Sequence, residues 1–156
     1  MTTIADDATR DALRGAGLRI TEPRLAVLAA LAGRAHAPAD VLFSAVAPRL
    51  PGTSLQAVYG VLNALTGVGL VRRIEPAGSP ALYELRTGDN HHHVVCSTCG
   101  AIADVDCVVG HAPCLAPSND SGFFVQTAEV TFWGICPECR AAELDQPLEV
   151  DPPVTD

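Results

Sequence analysis

Between His91 and Gly100 the chain places His91, His92, His93, Cys96 and Cys99, so two kinds of metal ligand share one short segment. Cys96 and Cys99 form one C-x-x-C and Cys136 and Cys139 a second; thiolate pairs at this spacing each supply half of a tetrahedral zinc sphere. Four cysteines close that sphere, which suits a structural ion and leaves no open position for catalysis. The 36 residues between the pairs exceed ribbon spacing, so the zinc would staple together the two ends of a small domain. Four buried cysteines acting as small apolar residues are the bland alternative, but they have no reason to recur as paired C-x-x-C. A thioredoxin-like use of Cys136-Pro137-Glu138-Cys139 needs a strand before it and a helix after it within a βαβ unit, which the sequence pattern does not suggest. A zinc deaminase needs a His-x-Glu that is absent. The histidines are nitrogen donors and prefer other metals than a thiolate cage does, so the segment predicts two sites.

A chain of 156 residues, 48% apolar and 18% charged, can bury a core and fill one domain or two small ones. Its N-terminus carries Asp6 and Asp7 without an apolar run, and no apolar stretch approaches the ~18 residues of a membrane span, so a cytosolic protein is expected. In that compartment the six cysteines point to metal or thiol chemistry before disulfides. The net charge of −8 conceals an asymmetry. Residues 1–86 hold nine arginines against seven acids, whereas residues 87–156 hold one against eleven. Only the first part offers a face for nucleic acid.

The elements that must position these ligands follow from periodicity and caps. Residues 6–16 predict a helix closed by Gly17; Thr21-Glu22-Pro23 starts a second, with Thr21 as its hydroxyl cap; a third begins near Pro38 and ends by Pro48 or Pro51. Ser54 caps a fourth helix with Leu55, Val58, Leu62 and Leu65 on one face and Gln56, Tyr59, Gly60 and Asn63 on the other. Residues 70–75 and 81–85 predict a hairpin with a turn at 76–80. Helices closed by a hairpin make a winged helix-turn-helix, here over residues 1–86, whose fourth helix would enter a major groove. Residues 87–90 read as a hinge, 91–143 as a metal-binding α/β dimerisation domain, and 144–156 as a disordered acidic tail. Strands are expected at 92–97, 102–106 and 123–135, an irregular span at 108–121 and a short helix after Cys139. The whole is an α+β fold.

Together Arg19-Ile20-Thr21-Glu22-Pro23-Arg24, Ser54-Leu55-Gln56-Ala57-Val58-Tyr59, His91-His92-His93 and both C-x-x-C pairs resemble the ferric uptake regulator family of metal-dependent repressors, over roughly residues 8–140. The resemblance implies a regulatory metal between the two domains, with His36, Glu84, His91, His93 and Asp104 as ligands. Three histidines and two carboxylates make a nitrogen and oxygen site suited to Fe(II) or Mn(II). Taken singly, His36 reads as a surface or capping histidine and Glu84 or Asp104 as a solvated strand residue; only the joint match raises a site. Asp at 104 and the segments Gly88-Asp89-Asn90-His91 and Asp104-Val105-Asp106-Cys107 are similar to the peroxide-sensing branch and to actinobacterial regulators of catalase-peroxidase. That likeness implies oxidation of His36 or His91 by peroxide at bound Fe(II). His92 and His111 match part of a further metal site of the family, but Ala128 stands where another of its histidines belongs. Cys107 and Cys114 are left over from the zinc, as a redox pair or as small apolar residues.

For DNA, Gln56, Tyr59 and Asn63 are the candidates on the fourth helix, and Arg19, Arg24, Arg72 and Arg73 the candidates for phosphate contact. The bland reading of each arginine is an ordinary solvated charge. A repressor of this size would bind a pseudo-palindromic operator as a homodimer, with the 123–135 strand in the dimer sheet. Two other readings stay open at this point: a repressor for which the metal ion itself is the signal, and a small zinc-dependent enzyme built on His91, His93 and a carboxylate.

Overall fold

The structure is a computed structural model that describes residues 4–85, 87, 89, 91–107, 115–126 and 128–144, with side chains described for 7–142 of these. It divides into two compact units, Met1–Asp89 and Asn90–Asp156. His111, Cys114, part of the expected hinge and the expected tail beyond Leu144 lie outside the described residues. No helix among the described residues is long and apolar enough to cross a membrane.

The first unit packs α1 (Ile4–Gly15), α2 (Glu22–Ala32), α3 (Ala39–Val46) and α4 (Leu55–Gly67) around one core that includes Leu13, Leu28, Leu42, Val58, Leu62 and Leu65. Local chemistry sets the ends. Gly17 takes a left-handed backbone (φ 73°) as Leu18 N–H bonds back to Leu13 O at 2.9 Å, which ends α1 as a glycine cap should. Ser54 Oγ accepts the Ala57 N–H at 3.1 Å and caps α4. Thr21 occupies the corresponding place before α2 but its side chain makes no capping bond; the proline in the first turn, which has no N–H to satisfy, starts that helix instead. Leu55, expected on the buried face of α4, is 36% exposed at the first position of the helix.

A three-stranded sheet closes this unit in the order β1-β3-β2, from β1 (Ala37–Pro38), β2 (Arg72–Ile74) and β3 (Leu82–Glu84). The hairpin β2/β3 is present, with shorter strands and a longer connection, residues 75–81, than the sequence suggests. Two prolines in that connection, Pro76 and Pro80, cannot donate to a ladder. β1 has no sequence signal at all: two residues, one of them proline, pair with β3 through Ala37 opposite Tyr83 and Pro38 opposite Leu82.

The second unit is a sheet in the order β5-β4-β6, from β4 (His91–Cys96), β5 (Ile102–Asp106) and β6 (Thr131–Gly134), followed by α5 (Pro137–Leu144). β4 lies in the centre, antiparallel to β5 and parallel to β6. Two expectations are corrected here. The 123–135 strand is only Thr131–Gly134, and Phe123 and Phe124 stand 75% and 88% exposed outside it; Gly122 (φ 82°) and Ser121 (φ 51°) turn the chain just before them. The last helix starts at Pro137, before Cys139, because a proline in the first turn needs no hydrogen-bond partner. The second C-x-x-C therefore does follow a strand and open a helix, although no strand follows α5 among the described residues, so the βαβ context of a redox motif is lacking.

Leu62 is fully buried in the first unit. Leu62→Ala should destabilise the unit by about 2–5 kcal/mol, seen as a lower denaturant midpoint with an unchanged slope.

Candidate metal centres and nucleic-acid surface

The turn after β4 and the start of α5 bring four thiols to one point: the Sγ atoms of Cys96, Cys99, Cys136 and Cys139 all lie within 4.8 Å of one another. Cys99 Sγ and Cys136 Sγ are 3.7 Å apart. A tetrahedral zinc with Zn–S bonds of about 2.3 Å has sulfur–sulfur edges of about 3.8 Å, so the donor set fits that ion in type, number and spacing. Backbone amides support the cage. Cys136 N–H donates to Cys96 Sγ at 3.3 Å and Cys139 N–H to Cys136 Sγ at 3.5 Å. The amide of Cys136 first, and that of Cys99 next, hold the Cys96 thiol down at about 6, while the neighbouring thiols of Cys136 and Cys99 push Cys139 well up. Four thiols this close resist ionising together; a divalent cation at their centre removes that conflict.

Histidines and carboxylates occur in both units. In the first, His36 sits between α2 and β1 with φ 57°, a left-handed conformation uncommon for a residue with a Cβ. The pairing of Ala37 with Tyr83 fixes the backbone after it, and its side chain turns inward, with Nε2 2.9 Å from Glu84 Oε2. Glu84 is 1% exposed, so this carboxylate has been taken out of water and needs charged or donor partners. Arg72 supplies one, its Nε 3.7 Å from Glu84 Oε1.

In the second unit the alternation of β4 puts His91 and His93 on one face and His92 on the other. The rings of His91 and His93 meet edge to face, with centroids 4.9 Å apart. Asp104 stands directly opposite His93 across the β4/β5 ladder, its Oδ1 3.6 Å from His93 Nε2 and 3.9 Å from His91 Nε2. All three histidines are buried. His92 packs against the Phe132 ring at 6.2 Å, on the face away from Asp104. Its expected partner His111 lies outside the described residues. Cys107 lies just past β5, half-buried.

The exposed face of α4 carries Gln56, Tyr59 and Asn63, while Val58, Leu62 and Leu65 face the core. No arginine or lysine occurs in this helix. The arginines expected at phosphates differ in what they already hold. Arg19 is exposed, and Arg24 reaches across to donate to its carbonyl oxygen at 2.5 Å. Arg73 is salt-bridged to Glu75 at 2.6 Å, and Arg72 is directed at Glu84. Two features had escaped the sequence reading. The left-handed His36 has no sequence signal, but Arg72 opposite Glu84 follows directly once the hairpin is put in register.

A sequence profile of the ferric uptake regulator family matches residues 15–131. The chain is 61% identical over 121 residues to ferric uptake regulation protein 1 of Mycolicibacterium fortuitum, covering 78% of this chain and 75% of that one. It is 54% identical over 143 residues to the transcriptional regulator FurA of Mycobacterium tuberculosis, covering 92% and 96%. Likeness to the peroxide-responsive repressor PerR of Staphylococcus epidermidis is 31% over 134 residues, covering 82% and 85%. The crystal structure of the Vibrio cholerae ferric uptake regulator superposes with a TM-score of 0.61 at 26% identity, covering 81% of this chain and 98% of that one.

Cys136→Ser removes a thiolate from the cage, and Zn(II) content measured by mass spectrometry should fall from one ion per chain towards none, with loss of the sheet signal of the second unit. Zinc is held only by deprotonated thiols, so it should be retained at neutral pH and released as acid protonates the cage, read by a chromophoric chelator as pH is lowered.

Proposed function

The chain belongs to the ferric uptake regulator family, whose members are metal-responsive transcriptional regulators and not enzymes; from this we propose that it is a metal-dependent repressor that senses peroxide through oxidation of its own histidines. The zinc-enzyme reading falls with family membership. Regulators of this family bind DNA and are dimeric. In this reading the chain acts in the cytoplasm as a homodimer on a pseudo-palindromic operator, controlling oxidative-stress genes such as that of catalase-peroxidase. Gln56, Tyr59 and Asn63 meet base edges, and Arg19, Arg24 and Arg73 meet phosphates. The apolar residues left exposed on and beside the edge strand β6, Phe132, Trp133 and Ile135, support the dimer.

The ligands carried over by the resemblance are His36, Glu84, His91, His93 and Asp104, with residues 1–86 and 91–143 as the DNA-binding and dimerisation domains about a hinge at 87–90. One ion holding ligands from both domains favours the arrangement it can bridge, limited by its differential affinity for that state. The observation that carries the reading is the buried histidine pair sharing one aspartate: His91 and His93 in edge contact, both within 4 Å of Asp104 Oδ1. Nitrogen and oxygen donors of this kind suit Fe(II) or Mn(II) and keep the ion apart from the thiolate cage. Bound Fe(II) supplies the one-electron chemistry that opens the O–O bond of peroxide. In the net reaction one peroxide oxygen bonds to an imidazole carbon of His36 or His91, the proton of that carbon moves to nitrogen, and the other oxygen leaves as water. The oxidised ring of His36 or His91 would be a poorer ligand for the ion, and repression would end with the weakened binding.

A second reading makes Fe(II) itself the signal, and the name of the 61% identical relative, a ferric uptake regulation protein, favours it. One experiment separates them. Fe(II)- and Mn(II)-loaded protein is treated with one equivalent of peroxide, and operator binding is followed beside the masses of the peptides holding His36 and His91. Peroxide sensing predicts that the Fe(II) form alone loses DNA and gains one oxygen on a histidine; retained DNA binding with unmodified histidines would leave iron as the signal.

A further inference from the structure

We infer that Arg72 is a positioning residue for the regulatory metal, holding one carboxylate oxygen of Glu84 so that the other is the single oxygen presented beside His36. The inference rests on the reading above that Glu84 and His36 are ligands. Its geometry lies wholly within the first unit. Arg72 and Glu84 are directly opposed residues of the β2/β3 ladder, which fixes their Cβ atoms as cross-strand neighbours. Arg72 Nε lies 3.7 Å from Glu84 Oε1, while Glu84 Oε2 lies 2.9 Å from His36 Nε2. The two oxygens of one buried carboxylate are thus divided between a fixed cation and a metal-ligating nitrogen.

That division matters for coordination. A carboxylate can bind a metal through one oxygen or both, and a side chain able to rotate would sample either mode. With Oε1 drawn to the guanidinium, Glu84 has one orientation and one oxygen to offer. A guanidinium also repels a divalent cation, which opposes binding. Arg72 keeps 24% of its side chain in solvent, so water screens that repulsion, whereas the loss of an outer group that orients a ligand typically costs about 10–100-fold in metal affinity. Orientation therefore prevails. The same contact moves Arg72 out of the set of arginines available to DNA phosphate, where its sequence position had placed it.

The test uses the full-length, zinc-loaded protein and Mn(II) as probe, with free Mn(II) read by electron paramagnetic resonance. Arg72→Met should weaken Mn(II) binding about 10–100-fold, and Arg72→Gln, which keeps a polar group there, should weaken it in the same direction. Arg72→Lys, which restores a cation, should recover most of the affinity, a rescue that a role in folding alone would not give. At saturating Mn(II), the salt dependence of operator binding should be the same for Arg72→Met as for the parent. Unchanged or tighter Mn(II) binding in Arg72→Met and Arg72→Gln would overturn the inference, as would a salt slope lowered by about one phosphate contact. Glu84→Ala is the control for the premise: if it binds Mn(II) like the parent, Glu84 is not a ligand and the reading beneath the inference is what fails.

Discussion

The second unit depends on four thiols that have to be held within one bond length of a common point. Its sheet has three short strands, only β4 is buried along most of its length, and the apolar side chains beside it are half in water. So small a body has little hydrophobic stabilisation of its own. The cage joins the end of β4 to the start of α5, positions far apart in the chain, and zinc in such cages contributes on the order of 10–16 kcal/mol in model peptides. The strand that ends in the cage is the same one that carries the three histidines at its other end.

Strand geometry then separates two chemistries that share one segment. Cys96 ends β4 inside the thiolate cage. His91 and His93, on alternate positions, turn to the face where β5 brings Asp104, and His92 turns to the opposite face against Phe132. A two-residue period thus suffices to keep the sulfur donors apart from a set of nitrogen and oxygen donors on the same strand. In the first unit, cross-strand register performs the equivalent task for Glu84, between Arg72 and His36.

Much of this was legible in the sequence because the relevant signals are local. The C-x-x-C pairs, the Ser54 cap, the apolar face of α4 and the alternation of β4 each depend on spacing along one segment, and each appears where the spacing puts it. What escaped depended on long-range pairing or on backbone conformation. β1 exists only because β3 offers it an edge, and one of its two residues is a proline. The left-handed His36 cannot be foreseen from a histidine, and the 123–135 apolar run shortens to four strand residues because β4 pairs with no more of it. The place of Arg72 across the ladder from a buried carboxylate likewise needs the register of the hairpin, which no single segment carries.

On the proposed reading, the histidine and carboxylate side chains hold a responsive metal while the thiolates hold a permanent one. Elemental analysis of the protein loaded with Fe(II) and Zn(II), before and after one equivalent of peroxide and gel filtration, tests it most directly. Iron should be lost, about one zinc per chain should remain, and intact mass should rise by one oxygen atom. Loss of zinc with disulfide formation among Cys96, Cys99, Cys136 and Cys139, and iron retained, would contradict it.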